Sequence, residues 1–517
     1  MKYRKIYYTA FIALLLLTCV GCKKFLNVTP QNALSGNNYW KTKNDVQNFM
    51  NGIYLQYRNC TMQNQALFTA SGDFRCSRIW DLVSKSGSGN VYVNDVESND
   101  MVSAVTHNDG NVRNIMDWTG FYQAIASCNI LLKEIDNVPS GALTTQQLAA
   151  YKAEAVFMRS LCYFTIVRLF GDVPYNVTAY DTSALPRTDQ TVVFNNCLAD
   201  LKTALPNLPW TYTNISDIAS RANKGAAIAL MMNMNMWNAN FDPANKLKYW
   251  NATDSLGGML MDENGGAYGL LPIADFKTIF AGHSRESLFE IEQNANNQDV
   301  FYNYGQFANY VLGYKLNSQY QFVSTPPAIA TPKSSMYIDQ KVLNSIYPSG
   351  NGDQRASLWI ANANDKTGNF AFIKFSNMVY GTTQNGVSFS ASTDAHVIFR
   401  LAGAILLRAE ACNDLGKTGD ALTYLNMTEG RAGLPPYSSN SQTDLDNEIF
   451  VERTRELMGE GSIYYDLVRT KKILDPGYCN AMPSSDYANG GWTWPIANSA
   501  LTNNPNMVLN TFWNVSY

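Results

Sequence analysis

Ionisable side chains crowd one stretch, EIFVERTRELMGEGSIYYDLVRTKK, where Glu448, Glu452, Arg453, Arg455, Glu456, Glu460 and Asp466 follow one another closely. Grouped carboxylates are the raw material of general acid–base chemistry, which needs a proton donor and an acceptor within reach of one bond. Their spacing points elsewhere. Phe450, Leu457, Tyr464 and Val468, spaced seven, seven and four, form one apolar stripe that the charges flank. Glu452 and Arg455 stand at i and i+3, the spacing of a helical ion pair. An adjacent arginine lowers a carboxylate's pKa and makes it a poor proton donor. The expectation is a set of structural ion pairs, extending to Arg408, Glu410 or Arg431 on the preceding helices. No G-x-S-x-G elbow, H-E-x-x-H pair or phosphate-binding G-x-x-x-x-G-K-[ST] loop occurs. A two-carboxylate glycosidase leaves no such signature and stays as an alternative, but the chain reads as a binding protein and not an enzyme.

A second chemistry sits near the start, in LLLLTCVGCKKFLNVTPQN. Lys2, Arg4 and Lys5 precede an apolar run from about Ala10 to Val20, and small residues lead up to Cys22. A positive leader, a short apolar core and a small-residue cleavage site describe a secretory signal. The run is shorter than the roughly 20 residues of a membrane-spanning helix. A cysteine directly after Gly21 is the arrangement of a bacterial lipoprotein, whose thiol is acylated while the chain is cut before it. Cys22 is the expected lipidation site, and Cys19 a weaker competitor. Residues 1–21 would be the signal peptide and 22–43 a lipidated tether. Two or more acyl chains anchor a protein without spanning the bilayer.

Of the 39 basic and 42 acidic residues, three basic ones lie in residues 1–21, so the remainder carries a net charge of −6. That sign gives no support for nucleic-acid binding, which wants a basic footprint. With Cys19 and Cys22 of the leader region set aside, the remaining seven of nine cysteines show no C-x-x-C spacing and the three histidines are scattered, so neither a zinc cage nor any other metal or cofactor site is expected. Cys128, Cys162 and Cys412 fall in apolar helical patterns and read as small buried hydrophobes. Cys60 and Cys76 are candidates for a disulfide in an exported chain.

The elements that would position these groups are mainly helical. Residues 44–517 read as one domain, with a helical scaffold over about 44–59, 113–237 and 395–475 and loop-rich excursions over about 60–112 and 240–394. Val46, Phe49, Met50, Ile53, Tyr54 and Tyr57 recur at helical spacing. Helices are predicted from about Ile115 to Ile135, Thr145 to Leu169, Thr191 to Leu205, Arg221 to Trp237, Ala395 to Leu415, Thr418 to Gly430 and Asp446 to Thr470. SLFEIEQ and FAFIKF suggest isolated strands. Leu401, Ile405, Ala409 and Cys412, the stop at Gly416, and Ala421, Leu422 and Leu425 beyond it predict a helical hairpin of tetratricopeptide type.

Four stretches in this order carry a resemblance: CKKFLNVTPQN, AEAVFMRSLCYFTIVRLFGDVPYN, RLAGAILLRAEACNDLGKTGDALTYLN…RAGLP and IFVERTRELMGEGSIYYDLVR. Over nearly its whole length the chain resembles SusD/RagB-family outer-membrane lipoproteins. The resemblance implies a mainly α fold of tetratricopeptide-like hairpins with loop-rich excursions and a few short strands. It implies a cell-surface role as the lid of a SusC-like TonB-dependent transporter, taking up glycans or, in the RagB branch, peptides. A protein-only tetratricopeptide scaffold is the alternative from another class. The chain departs from the family pattern at Glu429 and Ile463, where arginines are expected, and at Lys23 and Lys24, where surface lipoproteins often carry acidic residues.

Sugar binding needs flat apolar faces for C–H surfaces and polar side chains for hydroxyls. The first excursion offers Asp73, Arg75, Arg78 and Trp80, and the second offers Asn297, Tyr302, Tyr304 and Tyr310. Their aromatic content favours glycan over peptide.

Overall fold

The computed structural model describes residues 39–63, 66–84, 91–293, 334–382 and 388–516. Cys22, Asn297, Tyr302, Tyr304 and Tyr310 lie outside them. Helix α1 (Lys43–Arg58) opens on a reciprocal capping box, in which the Thr42 hydroxyl accepts from the Asp45 amide and the Asp45 carboxylate accepts from the Thr42 amide. Helices α2 (Thr119–Glu134), α3 (Thr145–Phe170), α4 (Gln190–Ala204), α5 (Lys224–Phe241), α6 (Lys246–Asp262), α7 (Leu401–Asp414) and α8 (Thr418–Arg431) follow. Each packs on its predecessor, giving stacked helical hairpins. Helix α3 starts at the Thr144–Gln147 capping box and stops at Gly171, whose φ of 71° a side chain disfavours. It is buried on nearly every face from Ala153 to Phe170, as befits a helix at the centre of the stack.

The 60–112 excursion, expected to be irregular, contains short helices at Val91–Glu97, Met101–Thr106 and Gly110–Met116. Asp100 and Asp109 cap the last two, and Met101, Val105, Val112 and Ile115 bury their apolar sides. Within 240–394, α6 is a second departure from expectation. Its Gly257 and Gly258 obscure the helical pattern, yet a Cβ at Gly257 would lie 2.6 Å from Arg408 Cδ and 3.0 Å from its Cβ. The glycine lets α6 and α7 approach closely.

The predicted Ala395–Leu415 helix divides into strand β2 (His396–Arg400) and α7, because β2 pairs antiparallel with β1 (Ser287–Ile291), the SLFEI segment. FAFIKF forms a two-residue strand, Ala371–Phe372, before a turn over Ile373–Phe375. The Asp446–Thr470 helix is likewise two, α9 (Gln442–Leu457) and α10 (Ile463–Arg469), parted by Gly459 and Gly461 at φ of 83° and 76°. Leu406, Ala409, Cys412, Ala421, Leu425, Leu445 and Ile449 close a small second core where α7, α8 and α9 meet. Among the described residues no helix is long and apolar enough to cross a membrane.

Candidate functional site

The acidic stretch of α9 lies inside the molecule. Arg355 grips Glu452 in a bidentate pair at 2.8 and 2.7 Å, and also holds Glu456 at 3.0 Å and Asp353 at 2.7 Å. Arg400, at the end of β2, donates to Glu456 at 2.6 Å, to Glu286 at 3.0 Å and to Glu460 at 2.7 Å. Arg431 joins Glu286 and Glu456, and Arg469 joins Glu410. Burial would raise the Glu456 carboxyl, but the guanidinium groups of Arg431, Arg400 and Arg355 hold it well below the usual carboxylate range. Glu452 reaches Arg455 at 3.8 Å, the i, i+3 pair read from the sequence. Of the expected outer partners, Glu410 and Arg431 belong to these networks, while Arg408 pairs with Asp254 at 3.0 Å. Such matched, buried charges hold elements in place, and carboxylates held charged by arginines are poor proton donors.

The departures from the family pattern sit within the same region. Glu429 is buried beside Glu452 and Glu448, and burial followed by those charges pushes its carboxyl up to about 9. The Arg455 guanidinium, 3.8 Å away, opposes that rise. Ile463 is buried as an ordinary core residue.

Three of the four first-excursion candidates also point inward. The Asp73 carboxylate accepts from the Gly459 amide at 3.1 Å and from the Gly461 amide at 2.7 Å. It thereby satisfies two donors exposed by the break between α9 and α10. Arg75 donates to the Gly491 carbonyl at 2.6 Å and lies over the Tyr464 ring at 4.6 Å. Trp80 packs edge-on against Phe372 at 5.3 Å. These three tie the excursion to the body from its interior, and Arg78 alone of the four is exposed. Cys60 and Cys76, candidates for a disulfide, are not bonded to each other. The Cys60 sulfur sits instead against Gly120 of α2, where a Cβ would approach it to 2.6 Å.

The surface carries a concavity that spacing did not reveal. Between α1 and α2 runs an open groove of about 420 Å³ lined by Tyr39, Trp40, Phe49 and Tyr180 together with Asn48 and Gln56. Trp40 and Phe49 lie 4.8 Å apart at 53°, and Tyr39 stands edge-on to Trp40 at 5.1 Å. Tyr180, 56% exposed with a φ of 61°, closes the far side, held by the Glu134 carboxylate at 3.2 Å and by Lys133 over its ring. Gln56 also lines an adjoining polar recess of about 440 Å³ with Asn59, Asn114, Asp117 and Gln123. Its Oε1 is buried without a partner. The floor at Gly52 is open, with nothing within 4 Å of where a Cβ would project. Flat rings flanked by amides match the C–H faces and hydroxyls of a sugar. The only sequence trace was Phe49 and Gly52 at the margin of the buried face of α1. Among the described residues no group of three or more His, Cys, Asp or Glu could hold a metal.

Stacked helical hairpins, elaborated by excursions, define a protein of the tetratricopeptide-like class. Residues 290–513 match the SusD family, and residues 24–234 match a family described as starch-binding, associating with outer membrane. A SusD homolog of Bacteroides thetaiotaomicron VPI-5482 is 38% identical with a TM-score of 0.82, over 91% of this chain and 98% of that one. The chain belongs to the SusD family. SusD-like protein P25 of Formosa agariphila is 24% identical over 494 residues, 89% of each chain. A laminarin-binding SusD-like protein shares the fold at 21% identity and a TM-score of 0.68, over 91% of this chain and 99% of that one.

Proposed function

We propose that this protein captures glycans at the outer membrane, anchored through an acylated Cys22, and passes them to a SusC-like TonB-dependent transporter. The single observation that carries the glycan reading is the aromatic groove of Tyr39, Trp40, Phe49 and Tyr180 with Asn48 and Gln56 beside it. Membership of a family described as starch-binding and outer-membrane-associated supports both cargo class and place. The leader and the small residues before Cys22 support lipid anchoring. Arg78, Asn297, Tyr302, Tyr304 and Tyr310 are proposed as further contacts outside the groove.

The test is retardation of a soluble form, starting after Cys22, in native gels containing single polysaccharides, followed by calorimetry. Gly52→Leu fills the groove floor and replaces a helix-interior glycine with a better helix former, so it should not cost stability. Retardation by one glycan class that Gly52→Leu abolishes is the expected result. Retardation unchanged in Gly52→Leu would move the site to Tyr302 and Tyr304. Binding of peptide mixtures with silence across all glycans would overturn the glycan reading in favour of a peptide-binding lid.

A further inference from the structure

The partner that Cys76 lacks in Cys60 is close at hand in Cys479. Both residues are fully buried, each with no exposed surface, and each thiol shifts the titration of the other. The two backbones are fastened side by side. The Asn480 amide donates to the Cys76 carbonyl at 3.0 Å. The Asn480 side chain reaches the Ser77 carbonyl at 3.3 Å, 403 positions away, and the Glu97 carbonyl at 2.9 Å. Cys76 itself holds a φ of 58°, kept there by its amide donating to the Val96 carbonyl at 3.2 Å and by the bond from Asn480. Such a strained backbone persists only where its surroundings over-determine it. The Cys479 thiol donates to the Ile473 carbonyl at 3.6 Å, which fixes the second sulfur.

We infer that Cys76 and Cys479 form a disulfide in the mature protein, clasping the first excursion to the C-terminal segment. The inference rests on the reading of the chain as exported, because disulfides persist in oxidising compartments. On this inference Cys60, Cys128, Cys162, Cys197 and Cys412 stay as thiols. In the closing step each of the two thiols gives up a hydrogen and an S–S bond forms. The two electrons and two protons pass to the disulfide of an exported thiol oxidant, which becomes a dithiol. Chemistry favours Cys479 as the attacking sulfur. The neighbouring Cys76 thiol, and then the Arg78 guanidinium, hold its thiol below the usual range against the opposing effect of burial, which enriches the nucleophilic thiolate. Closing so long a loop restricts the unfolded chain strongly.

The experiment is peptide mapping of the full chain purified from membranes, denatured and alkylated without reductant. The expected result is one linked pair of peptides carrying Cys76 and Cys479, the five other thiols alkylated, and separation of the pair on reduction. Alkylation of all seven, or linkage of either cysteine to a different one, would overturn the inference. A parallel sample made in the reducing cytosol and treated with oxidised glutathione tells the geometry from the compartment. Linkage there but not in the membrane sample shows that export, and not the pairing of the sulfurs, was misread. Absence of linkage in both overturns the pairing itself.

Discussion

Replacing Asp73 by asparagine tests whether this residue acts inside the fold or on a ligand. Burial pushes its carboxyl up from 3.8 to about 7, despite the two amides of Gly461 and Gly459 that favour the charged form. A raised folded-state value means that the folded chain holds this proton more tightly than the unfolded one. Asp73 therefore adds stability that is complete below about pH 4 and is lost as the pH rises through 7. Three units at about 1.36 kcal/mol each amount to about 4 kcal/mol in all, of which about 2–3 kcal/mol disappears between pH 5 and 8. The asparagine side chain does not titrate, and its one acceptor oxygen faces two amide donors, a loss of about 1–3 kcal/mol. Urea unfolding followed by tryptophan fluorescence should show Asp73→Asn less stable than the wild type at pH 5. The gap should shrink by about 2–3 kcal/mol at pH 8. A gap independent of pH would refute the buried placement. So would a stably folded Asp73→Asn protein that no longer migrates slowly in a glycan gel.

Other expectations follow from the same contacts. Arg355→Met strips the shared cation from Glu452, Glu456 and Asp353 and should lower unfolding stability by about 3–5 kcal/mol, read from denaturant midpoints. Gly257→Ala drives a methyl into Arg408 and should cost about 1–3 kcal/mol in the same assay. Glu429→Gln should match the wild type near pH 4 and become the more stable of the two as the pH rises from 4.5 towards about 9, because the folded chain holds the Glu429 proton more tightly than the unfolded one. Above about pH 9, where folded and unfolded chains have both lost this proton, the gap should grow no further. Equal pH profiles for the two proteins would refute the burial of Glu429.

The helices of the stack were legible because their capping and apolar period are local. Thr42, Asp45, Thr144 and Gly171 mark ends within one turn of the residues they serve. Strand β2 was not, since the run from Val397 to Leu407 is apolar but for Arg400 and Gly403 and fits either period, and only pairing with β1 makes its first part a strand. Helix α6 was hidden by Gly257, whose reason lies on α7. The residue types chosen in the first excursion suit sugar binding, but the partners of Asp73 lie 386 and 388 positions away, and nothing near Asp73 announces them. The groove was illegible for the same reason. Phe49 reads as one more core residue until Tyr180, on a distant loop, faces it.

The bond from Asp73 to Gly461 has a consequence for the order in which the chain becomes a protein. Synthesis delivers the N-terminal half first, so Asp73 and Arg75 emerge long before Gly459, Gly461 and Gly491 exist to receive them. Until the C-terminal segment arrives, a carboxylate and a guanidinium meant for the interior have only water as partners, and the apolar residues around them stay uncovered. A fragment ending before Gly459 lacks the pieces that close its own beginning.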